Sequence, residues 1–143
     1  MSAAGPSAQP RGRRARTPQS GDDAAGPPAP ELLKALARLD GLLQAIGHPR
    51  AAEVAAASAL AEVDLPAFWR ALDTNAWWAG AGSLAAETLA ENPGLSAADW
   101  ALAVREFREL LAEIGEALMD RGTANPGISS WVLAFRNWNA SGV

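Results

Sequence analysis

The sequence predicts an all-α protein, an irregular antiparallel bundle of five to six helices around one long helix, with a disordered N-terminal tail. Three observations predict this fold class. Apolar residues recur at helical spacing after residue 30, capping residues and Gly or Pro separate the periodic segments, and no stretch alternates polar with apolar residues as a strand would. Residues 1–30 contain six of the ten Pro and no Leu, Ile, Val, Phe or Trp. We therefore expect residues 1–30 to be a disordered tail and residues 31–143 to form a single helical domain.

The tail and the domain carry opposite charges. Residues 1–30 hold four Arg against two Asp, so the remaining residues carry all but two of the 16 acidic side chains. An acidic domain repels phosphate backbones, so only the Arg-rich tail could contact nucleic acid, and it has no aromatic side chain for stacking. Because the tail has nothing bulky to bury, we expect deletion of residues 1–29 to leave stability unchanged. A genuine tail and a start codon assigned too far upstream both explain the segment.

Composition also restricts where the protein can be located and which disulfide or metal chemistry it can have. The chain has no Cys, which excludes a disulfide scaffold and a Cys-ligated metal site. No apolar stretch approaches the roughly 20 residues that cross a bilayer, and no apolar region of a signal peptide follows the tail arginines. We expect a cytoplasmic protein without membrane contact.

Three helices are predicted in the first half of the domain. Helix one should cover residues 31–46, because five apolar residues share one helical face: Leu32, Leu36, Leu39, Leu43 and Ile46. The Ala-rich residues 50–63 predict a second helix. Asp64 should cap a short third helix that ends near Thr74.

The middle of the chain predicts a loop followed by a helix. Residues 75–82 resemble a loop, because Gly80 and Gly82 follow a pair of Trp. Ser83 should then cap a helix that runs to about Glu91.

The strongest helical signal begins at Ser96, which forms a capping box with Asp99. An apolar stripe then predicts a helix of about 25 residues, roughly 37 Å long, that ends at Gly122. The stripe consists of Trp100, Val104, Phe107, Leu111, Ile114 and Leu118. The acidic side chains of this helix should form a solvated face beside its own arginines. Ser129 or Ser130 should start a last helix, whose apolar residues are Trp131, Val132, Phe135 and Trp138.

Groups with catalytic or metal-binding chemistry are scarce. His48 is the only His, so no second His or Cys can complete a transition-metal site, and we expect it to face solvent or to cap a helix. Ser83 and Ser96 are explained by helix capping, and no nucleophile with its base is recognisable. The sequence therefore predicts no catalytic residue, no metal and no cofactor.

The one unusual element is the glycine-rich segment from Trp77 to Ser83. It could cradle a small anion with backbone N–H groups at a helix start. The lining residues would be Asn75, Trp77, Trp78, Gly80, Gly82, Ser83 and Glu87. Alternatively, the glycines permit positive φ or close packing while the Trp pair anchors the loop in the core. We favour this structural interpretation, because residues 71–104 contain no Lys or Arg.

Two segments resemble a family of small uncharacterised bacterial proteins. Trp78 to Ser83 is similar to a W-G-G-A-G-S element of that family, and Trp131 to Trp138 is similar to its W-V-x-A-F-x-x-W element. Ala79 stands where the family usually has Gly, and Ala86 stands where an acidic residue is expected, with Glu87 one position later. The resemblance covers about residues 70–143 and implies a bacterial, helical, cytosolic protein, but it implies no activity.

The scarcity of reactive groups and the clear packing signals favour a non-enzymatic protein-interaction or regulatory module with a protein partner. A small anionic-ligand pocket at residues 77–83 is the alternative, and weak nucleic-acid contact by the Arg-rich tail is a second alternative. Partner identity and oligomeric state stay open.

Overall fold

A computed structural model describes residues 26–122 and 124–142 of the chain. The predicted disorder of residues 1–25 lies outside the described residues. All regular elements within those two ranges are helical, which confirms the predicted all-α class. None of these helices is long and apolar enough to cross a membrane.

The described part of the chain contains six α-helices and two short 3₁₀ helices. The α-helices are α1 (Pro30–Ala45), α2 (Ala51–Ala59), α3 (Leu65–Leu72), α4 (Asn75–Trp78), α5 (Ala97–Asp120) and α6 (Gly127–Ser141). The 3₁₀ helices are Leu60–Glu62 and Ala85–Leu89. The long α5 is packed against α1 on one side and α6 on another, while α2 packs on α1. A single buried cluster includes side chains from all six α-helices.

The first helices agree with the periodicity, with small shifts at their ends. α1 starts at Pro30 because a missing N–H costs nothing at the first helical position. The second helix is shorter than predicted, since the chain tightens into the 3₁₀ helix after Ala59. Asp64 caps α3 as predicted, and its side chain accepts a hydrogen bond from the N–H of Ala67 at 3.1 Å.

The end of the predicted tail contacts the helical domain. The indole Nε1–H of Trp69 donates to the carbonyl oxygen of Gly26 at 3.0 Å, and Pro30 already belongs to α1. The prediction of disorder is therefore wrong for residues 26–30. It failed because Pro30 is the first residue of α1 and because the backbone carbonyl of Gly26 can bind Trp69 without any bulky side chain in the segment.

The predictions for the middle segment were wrong in two places. Residues 75–78 form the helical turn α4 rather than a loop, because both Trp side chains of this turn pack into the core. The helix predicted from Ser83 to Glu91 is only the short 3₁₀ helix, which Ala90 ends in an extended conformation. The Thr88 hydroxyl donates to the carbonyl of Ala85 at 2.8 Å, which competes for the acceptor that an α-helix would give to residue 89.

The long helix α5 confirms the predicted stripe. Ser96 accepts a hydrogen bond from the N–H of Asp99 at 3.1 Å, and Gly122 follows the helix with a φ of 90°. The stripe residues from Val104 to Leu118 are buried, whereas Trp100 is half-buried.

The start of α6 and the acidic face of α5 differ from the predictions. α6 starts at Gly127 rather than at Ser129 or Ser130, because the Asn125 side chain accepts a hydrogen bond from the Gly127 N–H at 2.9 Å. The acidic side chains of this face form ion pairs with arginines of other helices, such as Glu106 with Arg38 of α1 at 3.5 Å.

Two glutamates of that face instead bind the next helix. Glu109 and Glu116 both form ion pairs with Arg136 of α6, the second at 2.7 Å. Arg108, which was expected on the solvated face, is only 8% exposed. Charges on α5 therefore help to hold the α5 and α6 pair together.

Candidate functional site

The glycine-rich segment is anchored by its two Trp residues, as the structural interpretation expects. Trp78 is fully buried, and its Nε1–H donates to the carbonyl of Leu72 at 2.6 Å. Trp77 is also buried beside it, with ring centroids 6.4 Å apart. Side chains buried to this extent support the loop from inside the core rather than lining an open pocket.

The turn after the Trp pair uses one of its two glycines for backbone freedom. Gly80 has a φ of 85°, a conformation that favours glycine, whereas Gly82 does not have a positive φ and a Cβ there would meet nothing within 4 Å. The Ser83 hydroxyl donates to the carbonyl of Gly80 at 2.9 Å and accepts from the N–H of Ala86 at 3.1 Å. Ser83 is buried and is engaged in holding the turn.

Arg50 holds the same loop, a role that the sequence analysis missed. Its Nη1 donates to the carbonyl of Gly82 at 2.8 Å, and its Nη2 donates to the carbonyl of Ala76 at 2.7 Å. Glu53 binds the guanidinium at Nε and Nη2, and these hydrogen bonds raise the pKa of Arg50. No local signal could have revealed this contact, because Arg50 lies 26 and 32 positions from the two carbonyl groups. Arg50, the cation that the described residues place at the loop, is thus already compensated by the carboxylate of Glu53.

The remaining predicted site residues have separate partners. The Asn75 Oδ1 accepts a hydrogen bond from Asn125 Nδ2 at 2.8 Å, which ties α4 to the segment before α6. Glu87 instead lies near His48, with 3.4 Å between its Oε1 and the imidazole Nε2. The structure brings Gly80, Gly82 and Ser83 together in one turn, whereas Trp77 and Trp78 are buried in the core and Glu87 lies beside His48.

His48 is buried rather than facing solvent, and its imidazole binds the backbone N–H of the N-cap residue of α2 without forming a side-chain cap of that helix. Its Nδ1 accepts a hydrogen bond from the N–H of Arg50 at 3.1 Å, at the start of α2, and the edge of its ring meets Phe107. Burial lowers the pKa of His48 below 6.5, against a smaller opposing effect of Glu87. At neutral pH the imidazole is uncharged, with its proton on the Nε2 that points to Glu87.

A small cleft opens beside this pair. We call it the His48 cleft; its volume is about 220 Å³, and it is lined by Gly47, His48, Pro49, Glu87, Ala90, Glu91, Asn92, Pro93 and Trp100. Glu87 is the predicted site residue that lines it. The indole Nε1–H of Trp100 donates to the carbonyl of Ala90 at 3.0 Å, which fixes one wall.

A larger groove lies on the other side of Trp100. We call it the α5 groove; its volume is about 440 Å³, and it is lined by Thr88, Leu89, Ala90, Glu91, Ala97, Trp100, Ala101, Val104, Arg105, Arg108 and Gly142. Most of these side chains are apolar, and Leu89 is 58% exposed. The sequence placed Trp100 in the apolar stripe of the core, and it did not indicate that this half-buried side chain lines a surface groove. Its position in the first turn of α5, beyond the end of the main packed region, was the available signal.

The groove also carries positive charge within an acidic domain. Arg105 and Arg108 lie two to three turns along α5 from Ala97, or roughly 12 to 17 Å at 1.5 Å per residue. Burial lowers the pKa of Arg108 below its usual value, and repulsion from Arg105 lowers it further. Arg108 is buried against Asn139 and the Trp138 ring, so the exposed Arg105 is the guanidinium beside these apolar walls that can bind a carboxylate.

Within residues 26–122 and 124–142, no group of three or more His, Asp or Glu side chains is placed to hold a metal ion. Comparison with protein-family models, with curated proteins and with solved structures finds no match to this chain. The bacterial family resemblance of residues 70–143 stays a prediction, and function is inferred from the geometry alone.

Proposed function

We propose that the chain is a non-enzymatic, cytoplasmic protein-interaction module that binds a partner protein in the α5 groove. The observation that carries this proposal is an apolar groove with an exposed Leu89 at its edge, next to two arginines in an otherwise acidic domain. Large exposed apolar side chains that rim a concave surface are typical of interaction sites.

The polar groups that could perform chemistry support the same proposal. Ser83 and Asn75 bind other protein groups, and His48 is buried between the Arg50 N–H and Glu87. Because these groups are engaged in holding the fold, a binding role is favoured over catalysis.

The groove defines the chemistry of its partner. Val104, Ala101 and Leu89 offer apolar contact, so the partner segment should carry a branched apolar side chain. The exposed Arg105 favours an Asp or Glu close to that side chain, since charge complementarity gives specificity and faster association. We therefore propose an apolar segment with an adjacent carboxylate as the occupant.

The small-anion alternative at residues 77–83 has less support. The Gly80 and Gly82 carbonyl groups accept hydrogen bonds from Ser83 and Arg50, and the guanidinium of Arg50 is paired with Glu53. Tail contact with nucleic acid concerns residues outside the described ranges.

Selection from a random peptide library displayed on phage tests the proposal directly. The full-length protein is immobilised, and peptides that also bind the Ala101→Trp variant are removed, because an indole at this exposed position would fill the groove. Ala98→Trp is the matched control, since Ala98 is an exposed residue in the first turn of α5 that does not line the groove.

We expect the surviving peptides to pair an apolar residue with Asp or Glu, to bind the Ala98→Trp variant as well as the wild type, and to bind Ala101→Trp at least about tenfold more weakly, a difference of about 1.4 kcal/mol. The proposal is contradicted if no class of peptide sequence survives the selection. It is also contradicted if the surviving peptides lose equal affinity for both variants. Circular dichroism of both variants must first show unchanged helix content.

A further inference from the structure

A proline-rich segment of the chain is seated on Trp69. Residues 27–30 read Pro-Pro-Ala-Pro, a P-x-x-P pattern, and Ala29 has φ −63° and ψ 148°, which is the polyproline II conformation. The indole Nε1–H of Trp69 donates to the carbonyl of Gly26 at 3.0 Å, across 43 positions of sequence. The contact to Trp69 is thus made by the backbone carbonyl of Gly26, and Ala29 has polyproline II angles where the segment joins α1.

The surface under this segment is built from three helices. Trp69 belongs to α3, Leu32 to α1, and Ala117 to α5. The guanidinium carbon of Arg121 lies 4.2 Å from the Trp69 ring centroid, a cation–π contact that orients the ring. We call these residues, with Asp120, the Trp69 surface; a cleft of about 340 Å³ lies between it and residues 26–29.

These features match the physics by which proteins bind proline-rich segments. A polyproline II helix has no internal hydrogen bonds, so its carbonyl groups are open to an indole donor, and its stiffness lowers the entropic cost of binding. Trp69 supplies that donor together with a flat apolar face. Trp69 is only 6% exposed with the segment in place.

We propose that the Trp69 surface is a docking site for a proline-rich segment of a partner protein, and that residues 26–29 occupy it in cis. This second surface goes beyond the α5 groove and does not depend on it. The occupant is defined by the chain itself, because its own Pro27 and Pro28 line the cleft.

Occupation in cis regulates access to the surface. Residues 26–29 join α1 directly, so their effective concentration is on the order of millimolar or higher, and a partner segment has to displace them. If the segment is seated nine-tenths of the time, the apparent Kd for a competing peptide rises about tenfold. Release of the segment should therefore strengthen binding in trans.

Fluorescence anisotropy with the full-length protein tests this proposal. The probe is a fluorescein-labelled peptide of residues 24–31, and the control peptide has its three prolines replaced by alanine. The opened variant carries Pro27→Ser with Pro28→Ser. We expect it to bind the probe about tenfold more tightly than the wild type, and to bind the control peptide at least about tenfold more weakly than the probe.

Two further variants on the opened background locate the site. Trp69→Phe keeps an aromatic ring but removes the indole donor, so binding should fall at least fivefold or so. Trp100→Phe is the matched control, since Trp100 also donates to one backbone carbonyl but lies at the α5 groove. This variant should bind the probe as tightly as the opened variant does. If Trp69→Phe unfolds, the indole N–H resonances of the ¹⁵N-labelled opened variant show instead where the probe binds. The Trp69 resonance should move most on titration with the probe.

No binding by the opened variant at millimolar probe, or equal binding of probe and control peptide, overturns the proposal. Binding that survives Trp69→Phe or leaves the Trp69 resonance unmoved also overturns it. The Ala101→Trp variant, which blocks the α5 groove, should leave probe binding unchanged. This result distinguishes the Trp69 surface from the α5 groove.

Discussion

Gly115→Ala should destabilise the protein although alanine is the better helix former. Gly115 lies in the middle of α5, where α6 approaches most closely, and a Cβ there would lie 2.7 Å from Val132 Cγ2 and 3.0 Å from Ile128 Cγ2. Both neighbours are branched side chains in the packed core, so they cannot swing away freely. The helix gains about 1 kcal/mol in propensity, whereas overpacking costs typically 1–3 kcal/mol and the shift spreads to Trp78. The two effects together predict a net loss of up to about 2 kcal/mol in the free energy of unfolding.

Urea denaturation followed by circular dichroism measures this change. Gly41→Ala is the matched control, because Gly41 is an exposed residue within α1 and a Cβ there would meet nothing within 4 Å. It should stabilise the protein by about 0.5–1 kcal/mol from propensity alone. If Gly115→Ala raised the free energy of unfolding as much as Gly41→Ala does, the close approach of α5 and α6 would be refuted.

The sequence predicts those parts of the fold whose signals are local. The α5 stripe and the Ser96 cap are periodic or short-range patterns, and both are correct in the structure. Long-range contacts were not predictable, since Arg50 reaches carbonyl groups 26 and 32 positions away, and the burial of His48 depends on Phe107 and Glu87 from other elements. For the same reason, the surface that we propose for binding is the α5 groove and not the glycine-rich segment that the sequence singled out. The glycine-rich turn is held internally, while the open surfaces form where α5 meets a 3₁₀ helix too irregular for a periodic signal.

Three further predictions concern the tail, the histidine and the glycine-rich loop. Deletion of residues 1–29, expected from sequence to be neutral, should cost about 1–3 kcal/mol by thermal denaturation, because Trp69 loses its cover and its hydrogen bond to Gly26. Unchanged stability would show that residues 26–29 do not pack. Burial lowers the pKa of His48 in the folded state, so the unfolded state binds more protons just below pH 6.5. Its contribution to stability is therefore complete above pH 6.5 and is lost as the pH falls below that value, and His48→Gln should flatten this part of the stability profile relative to the wild type. A profile with the same slope in both proteins would contradict the buried neutral imidazole. Phosphate or sulfate should not raise the Tm in a saturable manner, because the loop carbonyl groups face Arg50 and Ser83; a shift that Ser83→Ala abolishes in a folded protein would restore the anion-site alternative.

The measurement that tests the interaction-module proposal most directly is a ¹⁵N NMR titration of the full-length protein with a peptide from the phage selection. We expect the largest chemical-shift changes at Leu89, at the Trp100 indole N–H and at Ala101, since these groups line the α5 groove. The backbone signals of residues 79–83 should stay in place. Changes concentrated at residues 79–83, or no saturable change anywhere, would contradict the proposal that the α5 groove is the binding surface.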